Sequence, residues 1–219
     1  WFRDDWFYLQ FLMIAVGFLG KEFVRWTREG RRVHIFNPSA FSLGLFSVVL
    51  IAMNATDLTW GQEIASTLSM APRIYTFLFV IGLIAMYNFS ITLVSGLAAV
   101  VLFGWSAGYF TVTGVPYFID SEIPSAVFLG LYLLVTDPST SPRTPLGKAV
   151  FGLLYGVSVF ALFAGLDVIG APRFYDKLLA VPLLNLSVQQ IDRLARTIQG
   201  TAWWGRMRPA CLPARLNLV

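Results

Sequence analysis

The sequence predicts an all-α, polytopic helical membrane protein of about seven spans, each span needing roughly 20 apolar residues. Three observations carry this. Hydrophobic residues make up 57% of the 219 positions and charged residues 13%, where a soluble domain carries about 25% charged residues. The mean hydropathy is +0.68. The charges are also segregated: from Ile74 to Ile119 there is none, which leaves room for two crossings in that stretch alone.

Taken in order, residues 6–24 form the first predicted span. A basic loop at 26–34 follows, with Arg25, Arg28, Arg31 and Arg32 in or beside it. Residues 38–54 form the second span. Asn37-Pro38 opens it, because Pro suits a first helical turn and an Asn side chain caps the orphan N–H groups there. Residues 55–72 are a polar loop with Asp57 and Glu63. Spans three and four cover 73–87 and 91–110, joined by a tight turn at Asn88-Phe89-Ser90. A loop at 111–122 carries Asp120 and Glu122. Span five, 123–136, is short for a crossing. Spans six and seven cover 147–166 and 175–195. Residues 1–199 thus read as a transmembrane bundle and 200–219 as a basic tail with Trp203, Trp204, Arg206 and Arg208.

Net positive and net negative loops alternate along the chain. This places the C-terminus and both Pro-containing turns in the cytoplasm. The formal charge of +4 follows from the same bias, so no nucleic-acid partner is expected; the bilayer is. Trp6, Trp26, Trp60 and Trp105 fall near span ends as interfacial anchors. The lone cysteine, Cys211, and the lone histidine, His34, exclude an intrachain disulfide and a multi-histidine metal or haem centre. The sequence holds no Ser/His/Asp arrangement, paired-carboxylate site or phosphate-binding Gly-rich loop. A self-contained hydrolase or metalloenzyme is therefore not expected. The chain begins at Trp1 rather than Met, so upstream residues are expected.

Two short turns stand out among the apolar runs: Phe36-Asn37-Pro38-Ser39-Ala40, and Thr136-Asp137-Pro138-Ser139-Thr140. Asn37 and Pro38 either start a helix or help position a ligand or line an ion path. Asp137 either closes a turn by accepting backbone N–H bonds or binds a cation or a partner's basic residue. Lys21 and Glu22 sit at a span end where snorkelling is cheap. His34 reads as an interfacial histidine of the basic loop. Pro182 and Asn185 lie inside span seven. Interrupted helices of this kind point to a midplane site in inverted-repeat folds.

At these residues the chain resembles the NqrB/RnfD family, the membrane subunits of sodium-pumping NADH:quinone oxidoreductase and of Rnf-type electron-transport complexes. Gly20-Lys21-Glu22 through Phe36-Asn37-Pro38-Ser39-Ala40 is similar to the family's helix and the Asn-Pro turn after it. Ser125-Ala126-Val127-Phe128-Leu129-Gly130 through Thr136-Asp137-Pro138-Ser139-Thr140 is similar to its helix ending in Thr-Asp-Pro-x-Thr. Phe151-Gly152 through Asp192 is similar to its last two helices, with Asn185 and Asp192 in matching places. The resemblance implies an inverted-repeat bundle, here incomplete because helices that precede span one in the family are missing. It implies a bacterial inner (plasma) membrane location. It also implies a subunit that holds a non-covalent flavin, FMN or riboflavin, near Asn37, Pro38, Thr136, Asp137, Thr140 and Asn185, or that scaffolds redox partners among the other membrane subunits. Many family members carry FMN on a threonine in a Gly-Ala-Thr motif. The corresponding loop here lacks the motif and offers only Thr67, so covalent FMN is not expected. The alternatives are an accessory structural subunit of a larger membrane assembly and a small-solute or ion transporter.

Overall fold

The computed structural model describes residues 1–28, 30–64, 72–118, 127 and 129–201. Thr67, Asp120, Glu122 and the tail with Trp203, Trp204 and Cys211 lie outside the described residues, as does most of the first half of predicted span five. The described chain is mostly helical. Six longer helices are α1 (Tyr8–Phe23), α2 (Pro38–Ala52), α3 (Pro72–Asn88), α4 (Thr92–Thr113), α5 (Pro145–Val168) and α6 (Asp176–Gln199). Each lies where an apolar run predicts it, to within a few residues. Two of them are long and apolar enough to cross a membrane: α4, of 22 residues, and α5, of 24 residues. At 1.5 Å per residue they reach about 33 and 36 Å, against a hydrocarbon core of about 30 Å. Helix α2 and most of α3 are apolar but shorter. Helix α6 fails for a different reason. Its second half carries Gln189, Gln190, Asp192, Arg193 and Arg196, so only its first half is membrane-like.

The basic loop is not a loop. Residues Arg25–Arg28 (β1) and Arg31–His34 (β2) form an antiparallel hairpin, with Arg28 opposite Arg31. The two-residue connection needs a positive φ, and Gly30 supplies it at φ +76°. Thr27 and Val33 are β-branched, as strands favour. The all-α prediction is corrected to this extent.

Four helix crossings build the bundle among the described residues. Helix α4 packs on α5, α5 on α6, and α2 on both α1 and α6. At the first crossing a Cβ on Gly152 would fall on the Val94 carbonyl, and one on Gly156 would meet the Val101 side chain. This small-xxx-small face lets the two backbones touch. Val94, Ala98, Leu102, Phe151, Tyr155 and Val159 are fully buried around it. At the α2–α6 crossing Gly44 lies against Pro182. Pro182 leaves α6 continuous rather than interrupted. The room beside Gly44 accommodates the ring, so the break anticipated in span seven is absent. Near the predicted fifth span, Gly130–Leu134 is a π-helical turn, with Gly130 packed against the Tyr155 hydroxyl.

The two ends of the bundle differ in charge. One end gathers Lys21, the hairpin arginines, Arg143, Lys148, Arg193 and Arg196, with Glu22, Asp137 and Asp192 as its described acids. At the opposite end lie Asp4, Asp5, Asp57, Glu63, Asp167 and Asp176, with Arg3, Arg173 and Lys177. There the first residues clip onto the loop after α2, through Arg3 N–H to the Leu58 carbonyl at 2.9 Å and Trp60 N–H to the Trp1 carbonyl at 2.8 Å.

Candidate functional site

The two Pro turns meet at the arginine end, and Asn185 of α6 joins them. Asn37 caps α2: its Oδ1 accepts from the N–H groups of Ser39 and Ala40, at 3.0 and 3.2 Å. Its Nδ2 donates across the bundle to the Leu134 carbonyl at 3.3 Å. The Asn37 N–H donates to Asn185 Oδ1 at 3.3 Å, and Asn185 Nδ2 donates to the Thr140 carbonyl at 3.2 Å. Asn37 and Asn185 are buried. Pro38 follows as the first residue of α2 and presents no N–H. A single amide side chain thus ties residues more than a hundred positions apart, 37 and 140.

The second turn is closed from within. Asp137 Oδ1 accepts from the Ser139 N–H at 2.9 Å and the Ser139 hydroxyl at 2.5 Å, an Asx-type turn. The Thr140 N–H donates to the Asp137 carbonyl at 3.2 Å. Thr136 is buried and its hydroxyl donates back to the Tyr132 carbonyl at 2.7 Å. His34 also reaches this turn: Nε2 lies 2.8 Å from Ser139 Oγ and 3.8 Å from Asp137 Oδ2. The Ser139 hydroxyl proton is already spent on Asp137, so His34 Nε2 is the donor in this contact.

A buried ion pair flanks the seam. Arg28 of the hairpin donates to Asp192 of α6 and, at 3.0 Å, to the Ser141 carbonyl. Both side chains are almost wholly buried. Asp192 Oδ1 also accepts from the N–H groups of Arg143 and Thr144, at 3.0 and 3.2 Å, and from the Thr144 hydroxyl at 3.1 Å. The Thr144 hydroxyl in turn accepts from the Gly147 N–H at 3.0 Å and caps α5. Gly147 is required here, since a Cβ would lie 2.9 Å from Asp192 Oδ1. Lys148, also buried, donates to Ser90 Oγ at 3.0 Å and ties the α3–α4 turn to the same end.

Of the residues singled out in the sequence, Asn37, Pro38, Thr136, Asp137, Thr140 and Asn185 come together; Thr67 lies outside the described residues. Arg28, Ser141 and Thr144 were not anticipated. Nothing in a run of arginines marks one of them as buried. The Thr144-Pro145-x-Gly147 sequence, a capping residue before Pro, was the one local signal available.

A second unanticipated group sits at the opposite end. Lys177 Nζ lies 2.8 Å from Asp176 Oδ1 and both side chains are buried. The ammonium also faces the rings of Phe118 and Phe163, at 5.2 and 5.9 Å, as a cation–π contact allows. Tyr117, in the loop after α4, donates to the Phe160 carbonyl at 3.1 Å. Burial, with Tyr109 and Asp176 nearby, holds its phenol above the usual value.

Chemically, the seam is a set of polar groups satisfied by one another. Among the described residues no group of three or more His, Cys, Asp or Glu side chains could hold a metal ion. Compared with family models, with curated proteins and with solved structures, the chain matches none.

Proposed function

We propose that the chain is a multi-pass membrane subunit of an electron-transport complex of the NqrB/RnfD kind, and that its own part is to scaffold redox partners. The observation that carries this reading is the seam. Asn185 bonds both Pro turns, and the polar atoms there are spent on holding three segments in register. A non-covalent FMN or riboflavin seated on Asn37, Thr136, Asp137, Thr140 and Asn185 would have to break those bonds, which favours the scaffolding role over the flavin-holding one.

In this reading the chain crosses the bilayer seven times, through α1 to α6 and the segment that ends at Thr136. The shorter helices are accommodated by local thinning and by packing on their neighbours. The arginine end faces the cytoplasm of a bacterial plasma membrane, because basic residues concentrate there. The C-terminal end of α6 then emerges on the same side.

The test is isolation of the chain from its own membranes in mild detergent through an affinity tag. The expected result is co-purification of other membrane subunits whose flavin or iron absorbance bleaches on reduction, with no chromophore on this chain after denaturing separation. Recovery of the chain alone without any redox chromophore, or solute flux by the isolated chain in vesicles, would contradict the proposal.

A further inference from the structure

A second polar group lies inside the bundle, away from the seam. Asp176 opens α6. At a rise of about 1.5 Å per residue it stands roughly 24 Å along that helix from Asp192. Asp176 and Tyr155 of α5 are each 0% exposed. One carboxylate oxygen of Asp176 is satisfied: the Lys177 N–H donates to Oδ1 at 2.6 Å, and Lys177 Nζ lies 2.8 Å from it. The other oxygen, Oδ2, and the Tyr155 hydroxyl have no hydrogen-bond partner among the described residues.

The two unpaired atoms belong to one place. The Asp176 carboxylate is close enough for its charge to act on the Tyr155 phenol. Tyr155 and Lys177 also border the same backbone atom. A Cβ on Gly130 would lie 2.2 Å from the Tyr155 hydroxyl and 3.6 Å from Lys177 Cβ. Gly130 begins the π-helical turn, and such turns recur at functional sites.

The chemistry of the two atoms selects what sits between them. A carboxylate oxygen only accepts, whereas a phenol both donates and accepts. An occupant must therefore donate to Oδ2 and can bond Tyr155 in either sense. Water does both, and two polar partners suffice to hold one buried water. A metal cation on Oδ2 would stand beside the Lys177 ammonium, which already holds the other oxygen of the same carboxylate. An apolar molecule would leave both atoms unpaired. A route in exists at the acidic end, where an open cavity of about 430 Å³ is lined by Tyr117 and Phe163 among others. The Phe163 ring faces Lys177 Nζ at 5.9 Å.

We propose that the bundle binds an ordered water between Tyr155 Oη and Asp176 Oδ2, supplied from the acidic end. Asp176 is then a carboxylate that solvent reaches from that end alone, at a depth where a bilayer offers its polar atoms no water. The proposal is independent of the assignment to a redox complex.

The experiment irradiates the detergent-purified full chain briefly with X-rays and locates oxidised side chains by mass spectrometry. The radicals form from water in place and are too short-lived to diffuse into a bundle, so a buried ring is oxidised only beside a resident water. Tyr155 should be oxidised several-fold faster than Phe160, which is buried and stacked against Trp105 and Phe118. In Y155F the ring at position 155 should fall toward the Phe160 rate. A second measurement separates a bridged hydroxyl from a dry one by sign. Removing a hydroxyl bonded to water lowers the melting temperature, whereas removing a dry, unpaired one raises it. Y155F should therefore melt below wild type, by the same margin in sodium, potassium and choline chloride at equal ionic strength. Oxidation of Tyr155 at the Phe160 rate, a rise in the melting temperature of Y155F, or a drop confined to one alkali ion would overturn the water site.

Discussion

Asn185 is the residue on which the seam turns. It is 1% exposed and serves two chain segments through the two ends of one amide. Replacing it by Leu leaves the Asn37 N–H and the Thr140 carbonyl buried without partners, at about 1–3 kcal/mol each. N185L should therefore unfold at clearly lower denaturant or temperature, read by loss of helical circular dichroism in detergent. Asn37 separates two roles. N37D keeps an acceptor for the Ser39 and Ala40 N–H groups but has no amide proton for the Leu134 carbonyl, whereas N37A loses the helix cap as well, worth about 1 kcal/mol. The order of stability should be wild type, then N37D, then N37A, by the same unfolding measurement. At Asp192 the loss is larger. D192A strips a buried Arg28 of its counterion, a change that costs about 3–5 kcal/mol, and also uncaps the turn into α5.

These residues were unequally legible. Asn37-Pro38 and Asp137-Pro138 announce themselves as turns by local chemistry, and local chemistry is enough for a cap. That they lie near one another is implied only by the resemblance. The Arg28–Asp192 pair was hidden because its partners stand 164 positions apart, and a charged residue in a basic stretch looks like every other one. The His34 contact was hidden for the same reason: its partner Ser139 is 105 positions away.

At the scale of elements, the helices follow the apolar runs because burial and backbone pairing both favour helix wherever about fifteen or more apolar residues are contiguous. The hairpin was missed because four arginines mask two strands of alternating character, and a Glu-Gly pair in a sequence is a weaker hairpin signal than Asn-Gly. Gly30 now makes a test. Val at φ +76° costs about 1–2 kcal/mol in backbone strain, and the loss falls on the hairpin that positions Arg28. G30V should speed limited trypsin cleavage within residues 25–34 while leaving helix content near wild type; an unchanged cleavage pattern would argue against a formed hairpin. The α4–α5 crossing gives a sharper case. Leu at Gly152 would drive its side chain into the Val94 backbone, so the helices must separate; overpacking of this kind costs about 1–3 kcal/mol or more. G152L should unfold earlier than L153A, since Leu153 is 40% exposed and lies off that contact.

At the scale of the whole molecule, polarity decides the orientation. The end where the Pro turns meet is basic and the other end is largely acidic, and the proposed orientation follows from that asymmetry alone. Single cysteines placed in a C211S background read it directly. R31C reports the hairpin that leads into the first Pro turn, S139C reports the second turn, and V168C, at the end of α5, reports the opposite end; Arg31, Ser139 and Val168 are all exposed. A membrane-impermeant maleimide would be applied to intact cells and to inverted vesicles. R31C and S139C should label in inverted vesicles alone and V168C in intact cells alone. Labelling of R31C and S139C from opposite sides of the membrane, or of V168C from the same side as both, would contradict it.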